Sequence, residues 1–269
     1  MLKDITIGQH FPGNSVIHRM DPRAKLLLTI AYIVVLFIGS NPIGLALSAL
    51  FLVIAYRVSG IPLRMVGKSL RPILPIILFT SILNLFFVGG DPVFQWWVFT
   101  ITRQGIYNVL VLTVRIVCLI AGTSLLTYTT SPIVLTDAME RLMKPLAKLH
   151  MPVHELAMMM TIALRFIPLL IEETDKIMSA QKARGAELDT GKLTDRIRAL
   201  IPVLIPLFVS AFRRADELAM AMECRCYHGG EGRTRLHQLH LGGSDYLLVL
   251  LCAAVFGVIA CSGILWGMI

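Results

Sequence analysis

Long apolar runs alternate with short polar segments over much of this chain. An N-cap aspartate followed by proline, Asp21-Pro22, precedes the first run as a helix start. The first two runs are shorter than the about 20 residues that a perpendicular span needs, so they form either tight spanning helices or a shallow hairpin, and we favour spanning helices. The last run is long enough to cross with some tilt. The five runs are Leu26–Ser40, Pro42–Tyr56, Pro72–Val88, Ile106–Tyr128 and Tyr246–Ile269.

Residues 129–243 follow a different pattern, because they hold 15 of the 25 Lys/Arg and 13 of the 17 Asp/Glu. Ser131-Pro132 opens a helix that runs to about His150. Pro152 opens a second helix to Gly185, with apolar residues at three- and four-residue steps. A third begins at Thr194 or Asp195 and ends near Tyr227, interrupted by Pro202 and Pro206.

The predicted fold is therefore an all-α membrane protein with about five transmembrane helices and a cytoplasmic three-helix region before the last span. The predicted domains are 1–128, with four spans, then 129–243, with the cytoplasmic or interfacial helices, and 244–269, with the last transmembrane helix.

The second and third of these cytoplasmic helices share a short pattern, Asp-x-Ile/Leu-x-x-Ala-x-x-x-Arg. At one constant offset it matches Asp175 with Asp216, Ile177 with Leu218, Ala180 with Ala221, and Arg184 with Arg225. Each of the two predicted helices thus ends near a single arginine. A duplicated arginine indicates a protein that binds two similar partners.

Small residues flank each terminal arginine. A cation at a helix end is often explained by the helix dipole alone, which is worth about 0.3–1 kcal/mol. Small flanks, however, let a guanidinium reach into a groove, where its fork holds a carboxylate with two hydrogen bonds. A glycine after a helix end also suits the left-handed conformation. The predicted docking residues are Ala183, Arg184, Gly185, Cys224, Arg225 and Cys226.

Composition agrees with a membrane location and excludes some functions. Only 16% of residues are charged and the mean hydropathy is +0.73, whereas soluble domains have about 25% charged residues. The net charge of +8 is not clustered with stacking aromatics, so nucleic-acid binding is not expected. No apolar segment precedes Leu26, so we expect no cleavable signal peptide.

Orientation follows from the basic residues of the loops. Lysines and arginines are concentrated before the first run and in residues 57–71, while the turn after the first run has none. By the positive-inside rule, the N-terminus and residues 57–71 are cytoplasmic. The expected topology is a multi-pass plasma-membrane protein with residues 129–243 in the cytoplasm and the C-terminus outside.

Several other polar residues have more than one interpretation. Cys224 and Cys226 lie near His228, His237 and His240, but their spacing is too close for a structural zinc site, so no metal is expected. Arg115 lies inside the fourth run and snorkels, contacts another subunit, or pairs with Asp137 or Glu140. The acidic residues Glu172, Glu173 and Asp175 form a solvated face or pair with Lys176, Arg213 and Arg214.

The chain resembles the transmembrane T subunit of energy-coupling factor (ECF) transporters over essentially its whole length. The resemblance rests on Met20–Leu26, Ser131-Pro132, Met151–Leu156, Ala163–Pro168, Ala180–Gly185 and Met220–Tyr227. The second arginine motif departs from the family pattern, with Cys224 where alanine is common and Cys226 where glycine is common. The resemblance implies two sockets that are similar but not identical.

The resemblance also implies a mechanism. The two arginine-tipped helices dock into two cytoplasmic ATP-binding-cassette ATPase subunits, which bind ATP and Mg²⁺. Closure of the ATPases moves the helices, and this motion reorients a separate small membrane subunit, the substrate-binding S subunit, for uptake of vitamins or other micronutrients. The chain itself would be non-catalytic and bind no cofactor. It has no phosphate-binding loop, in agreement with that role.

Two other functions are weighed against this one. A membrane-embedded transferase would need paired aspartate motifs for Mg²⁺ at a cytoplasmic helix end, and none repeats here. A stand-alone secondary carrier usually shows inverted repeats of spans, whereas the five runs are unlike one another. Neither the transported substrate nor which arginine meets which ATPase follows from the sequence.

Overall fold

The computed structural model describes residues 11–39, 41–87, 89, 92–96, 99–149, 151–186, 193–229 and 241–267. The protein is a helical membrane protein, as predicted. A 3-10 helix, Lys144–Leu149, lies between the seventh and eighth α-helices. The α-helices are α1 (Val16–Arg19), α2 (Pro22–Ile38), α3 (Pro42–Ser59), α4 (Leu63–Leu70), α5 (Leu74–Phe87), α6 (Arg103–Thr129), α7 (Pro132–Met143), α8 (Val153–Ala183), α9 (Leu193–Glu223) and α10 (Gly243–Gly267).

Contacts divide the chain into two compact units. One, the bundle unit, consists of Gly8–Ala138 and Gln238–Ile269, and the other, the helix-pair unit, contains Met139–His237. The bundle unit therefore combines the N-terminal helices with α10, although α10 is the last helix of the chain.

The core of the bundle unit is built from aromatic and aliphatic side chains of α2, α3, α6 and α10. The ring of Tyr32 lies 5.8 Å from that of Phe51, and Phe51 meets Phe256 edge-on at 5.2 Å. Gly122 of α6 lies directly against Tyr32, since a Cβ there would come within 2.7 Å of the ring. Such offset and edge-to-face aromatic contacts add to the free energy of apolar burial.

Two polar contacts fix the directions of these helices. The Lys25 ammonium at the start of α2 donates to the Thr129 carbonyl at the end of α6, 3.1 Å away. At the other end of α2, the Asn41 amide donates to the carbonyl of Ser262 in α10, 2.8 Å away. Helices α2 and α6 are therefore antiparallel, whereas α2 and α10 run in the same direction.

Among the described residues, four helices are long and apolar enough to cross a membrane: α3, α6, α8 and Gly243–Gly263 of α10. Helices α4 and α5 form a fifth candidate if their 63° bend lies within one broken span. This number agrees with the prediction of about five, but the helices differ. The 17 residues of α2 extend about 25 Å, less than the hydrocarbon core, and α8 was assigned to the cytoplasmic region.

One short β-hairpin interrupts the helical fold. Strand β1 (Pro92–Trp96) pairs antiparallel with β2 (Phe99–Thr102), and Gln95 lies opposite Thr100. The sequence analysis placed no strand in the segment between α5 and α6. Its aromatic and β-branched residues favour extended backbone, but a segment this short gives too little periodicity to predict a hairpin.

Close packing of α10 on the end of α2 makes Gly263 sensitive to substitution. A Cβ at Gly263 would lie 2.5 Å from the Ile38 carbonyl oxygen and 3.0 Å from the Gly39 Cα, both backbone atoms that cannot rotate away. We expect Gly263→Val to destabilise the protein by about 1–3 kcal/mol, the usual cost of overpacking. Thermal unfolding in detergent, followed by circular dichroism, measures this loss.

The same helix provides the control for that substitution. Nothing lies within 4 Å of a Cβ built at Gly257. Gly257→Val adds the same side chain to α10 without a clash, so its melting temperature should match that of the wild type. Equal stability of the two variants would contradict the close packing of α10 on α2.

The helix-pair unit is dominated by α8 and α9. Both are continuous helices, and Pro202 and Pro206 lie inside α9 without ending it. The predicted interruption at these prolines is therefore wrong. A proline removes one backbone hydrogen bond and kinks a helix, but packing along the rest of a 31-residue helix maintains it on both sides.

Candidate functional site

Helices α8 and α9 pack against each other in opposite directions. Glu173 of α8 is bonded to Arg214 of α9, and eight residues further along α8 the Gln181 amide donates to the Pro202 carbonyl, 3.4 Å away. Because the position in α9 moves backwards as the position in α8 moves forwards, the pair is antiparallel. The C-terminal ends of α8 and α9 therefore point away from each other.

Both of these ends close with the same backbone motif. After α8, the Ala186 amide donates to the Gln181 carbonyl and the Gly185 amide to the Lys182 carbonyl, both at 3.0 Å. These two bonds form a Schellman motif, with Gly185 in the left-handed conformation at φ 87°.

After α9, the motif recurs at the positions that the sequence repeat makes equivalent. The Tyr227 amide donates to the Met222 carbonyl at 3.0 Å, and the Cys226 amide donates to Glu223 at 2.9 Å. Cys226 takes the place of Gly185 and adopts φ 57°. Arg184 and Arg225 thus occupy the same position in the same type of helix end.

The six predicted docking residues are all exposed. Within the described part of the chain, neither Arg184 nor Arg225 takes part in a salt bridge. The left-handed residue that follows each arginine turns the chain away from the helix axis, which leaves the guanidinium at the tip. The structure thus places three predicted residues at each tip, and their role in docking stays a prediction.

Cys226 is the one described residue other than glycine with a positive φ. A side chain in the left-handed region costs roughly 1–2 kcal/mol. We therefore expect Cys226→Gly to stabilise the protein by about 1 kcal/mol, which raises the melting temperature by about 2–4 °C. The measurement is thermal unfolding of the purified protein in detergent under reducing conditions.

Cys224 provides the matched control for Cys226→Gly. It lies two residues earlier in the same turn and has no positive φ. Cys224→Gly should be neutral or destabilising, because glycine there adds backbone freedom without relieving strain. If the two variants shifted the melting temperature equally, the strain at Cys226 would be disproved.

The remaining polar residues of the sequence analysis have separate outcomes. Glu173 pairs with Arg214, one of its predicted partners. Glu140 accepts a hydrogen bond from the His154 ring, 3.1 Å away. The Arg115 guanidinium lies over the Phe37 ring, 5.8 Å from its centre, next to the last turn of α2.

Metal ligands were not expected near Cys224 and Cys226. Among the residues that the structure describes, no group of three or more His, Cys, Asp or Glu side chains is arranged to hold a metal ion. Two histidines of the sequence cluster, His237 and His240, lie outside the described residues.

Lys25 is a structural residue that the sequence analysis did not identify. Its side chain is 6% exposed, and its ammonium donates to the His18 carbonyl, the Thr129 carbonyl and the Thr130 hydroxyl at 3.0–3.1 Å. Two of these three acceptors are backbone oxygens, which leave no signal in a sequence.

Comparisons with known proteins place these features in a family context. A family described as cobalt transport protein, CbiQ, matches residues 13–236. A protein of Clostridium kluyveri is 51% identical over 274 residues, covering 99% of this chain and 100% of its own length. Its name is "Energy-coupling factor transporter transmembrane protein EcfT".

Two further relatives carry the same name. The protein of Thermosediminibacter oceani is 53% identical over 244 residues, covering 91% of this chain and 92% of its own length. The protein of Bacillus subtilis is 45% identical over 261 residues, covering 95% of this chain and 98% of its own length. The similarity therefore extends through both arginine tips and all of the described helices.

Proposed function

Because this chain belongs to the family of energy-coupling factor transporter transmembrane proteins, we propose that it couples two cytoplasmic ATPase subunits to a separate substrate-binding membrane subunit. It is the transmembrane component of an ECF transporter, a multi-pass membrane protein. The ATPase subunits bind and hydrolyse ATP with Mg²⁺, and this chain transmits their motion. The cargo is a vitamin or another micronutrient, selected by the substrate-binding subunit.

One observation carries this proposal: two exposed arginines, Arg184 and Arg225, at equivalent positions of two identical helix ends. Each guanidinium is an exposed fork that matches a carboxylate in a partner's groove. Because α8 and α9 are antiparallel, the tips are separated and engage two partners rather than one. Two related ATPase subunits fit this arrangement, with one socket adapted to Gly185 and the other to Cys226.

The proposed orientation has the N-terminus and residues 129–243 in the cytoplasm and the C-terminus outside. Helix directions in the bundle unit support it, since the start of α2 and the end of α6 lie at one end of the unit. Met20, next to the start of α2, and Ser244 and Asp245, at the start of α10, line one cavity of about 440 Å³, so α10 also starts there. Arg19, Arg23 and Lys25 lie at this end, which the positive-inside rule assigns to the cytoplasm.

Reconstitution tests the proposed function. Liposomes are loaded with ATP and contain this chain, its two ATPase subunits and a substrate-binding subunit of known vitamin cargo. Uptake of the labelled vitamin should require all four chains and hydrolysable ATP. A non-hydrolysable ATP analogue provides the control. Uptake that is unchanged when this chain is omitted would refute the coupling role.

A further inference from the structure

The facing sides of α8 and α9 form a mainly apolar seam. Val203 of α9 is buried, and the half-buried residues of α9 recur at three- and four-residue steps that include Leu207 and Leu218. On α8, Leu170 and Ile177 are also half-buried. Apolar burial holds helices together, but it is non-directional and so restrains their register less than a polar contact does.

One ion pair interrupts the seam. The Arg214 guanidinium donates to one carboxylate oxygen of Glu173, 2.8 Å away, and the Ser210 hydroxyl donates to the other. Both oxygens of a single α8 carboxylate are thus held by α9. The side chains of Arg214 and Glu173 are 34% and 19% exposed, respectively, so the contact is half-buried.

The position of this ion pair coincides with the centre of the sequence repeat. Glu173 and Arg214 are separated by the same offset that relates Arg184 to Arg225 and Asp175 to Asp216. When two antiparallel helices are related by a two-fold axis, equivalent residues meet where the axis passes between them. The Glu173–Arg214 contact therefore marks the pseudo-two-fold axis of the pair.

The two helix segments that run from this contact to the arginine tips, here called the arginine arms, are equally long. Arg184 follows Glu173 by as many residues as Arg225 follows Arg214, so each arginine tip is about 16 Å from the contact along an ideal helix. Motion about this contact would move both tips by equal amounts. Any sliding of α8 along α9 would instead move both tips away from the contact, or both towards it, and so change the distance between them.

We propose that the Glu173–Arg214 ion pair is the pivot of the two arginine arms, a positioning contact that allows them to rotate but not to slide. This inference rests on the proposed coupling function and adds the mechanical element that function needs. Sliding by one helical turn, about 5.4 Å, would separate the two charges and break the hydrogen bond between them. Because the contact is half-buried, its loss would leave two partly desolvated charges unpaired, so the contact favours one register.

The neighbouring residues provide matched controls. Glu172 and Arg213 carry the same charges and are also related by the repeat offset, but both are exposed. An ordinary exposed ion pair contributes little, so substitutions at Glu172 and Arg213 report the effect of charge alone. Substitutions at Glu173 and Arg214 report the effect of charge at the pivot.

Coupling is the first measurement. In liposomes that hold the complete transporter, the ratio of vitamin transported to ATP hydrolysed should fall about tenfold in Glu173→Arg or Arg214→Glu, within the range of coupling free energies between sites. The double exchange, Glu173→Arg with Arg214→Glu, restores the opposite charges and should restore most of the ratio. Glu172→Arg and Arg213→Glu should leave it unchanged.

The distance between the arms is the second measurement and needs no partner subunit. Spin labels are attached to Ala183→Cys and to Cys224, which are equivalent in the repeat, with Cys226 replaced by glycine and the other cysteines by alanine. These backbone positions lie at most about 30 Å apart on straight arms. We expect one narrow distance distribution with the native pair and a broad one in either charge reversal. The neutral variant Glu173→Gln should broaden it less.

The outcomes separate this proposal from the proposed function. Narrow distributions in both charge reversals, or no recovery in the double exchange, would overturn the pivot. The pivot would also be overturned if a charge reversal lowered the ratio of vitamin transported to ATP hydrolysed but left the distance distribution unchanged. A wild-type chain that fails to assemble with ATPases would refute the proposed function, whereas the distance measurement on the isolated protein would still decide whether the pivot exists.

Discussion

Reversing both terminal arginines, Arg184→Glu with Arg225→Glu, is expected to abolish capture of the ATPase subunits while the protein still inserts in the membrane. Both side chains are exposed and lie at the tips of α8 and α9. Removing a central arginine from an interface typically costs about 2–4 kcal/mol of binding free energy, and a glutamate in its place adds repulsion from an acidic groove. The loss should therefore exceed that of any other paired surface substitution in the chain.

Capture is measured by purifying the tagged chain in detergent after co-expression and quantifying the bound ATPase subunits. Each single reversal should leave one ATPase subunit bound, because the two tips are separated. Arg165→Glu with Arg213→Glu is the matched control, since it reverses one exposed arginine on each of the same two helices. Unchanged ATPase capture by the Arg184/Arg225 variant would refute the docking assignment.

The arginine tips were predictable from the sequence because local backbone chemistry determines them. A glycine after a helical run indicates a left-handed residue, and Gly185 confirms this prediction. The same conformation at Cys226 was less predictable, since cysteine has no preference for it. The repeat, which aligns Cys226 with Gly185, and the family resemblance, in which glycine is common at that position, indicated that both helices end alike.

Contacts between distant elements were harder to predict. The sequence analysis gave Arg214 as one of several cationic partners for the acidic residues of α8, and the structure selects Glu173 as its partner. Asp137 and Glu140 were candidate partners of Arg115, but Glu140 instead pairs with His154. Side-chain charge alone does not determine such pairings, because they depend on how the helices are packed.

The short helices of the bundle unit illustrate the same limit. Apolar runs correctly predicted α2 and α3, and their length already indicated that α2 is shorter than a perpendicular span, but the sequence did not reveal which elements contact its ends. Its ends are instead completed by polar contacts to other elements, to Thr129 at one end and through Asn41 to Ser262 at the other. The stability of this arrangement depends on the first of these contacts.

Lys25→Met is therefore expected to destabilise the bundle unit by about 3–5 kcal/mol, the cost of removing one partner from a buried charged contact. All three ammonium hydrogens of Lys25 are used, so the substitution removes the donor of three hydrogen bonds. The carboxylates of Asp21 and Asp245 interact with the same ammonium, and both are buried. Both would lose this favourable interaction, and, among the described residues, Asp21 would keep only its ion pair with Arg23.

The yield of folded, monodisperse protein and its melting temperature in detergent measure this effect. Lys68→Met is the control, because Lys68 is exposed on α4 and its substitution removes the same charge without leaving buried acceptors. We expect a change within about 0.5 kcal/mol for Lys68→Met. If both variants had wild-type stability, Lys25 would not join the starts of α2 and α10 to the end of α6. Those helix ends would then be held together by apolar packing alone.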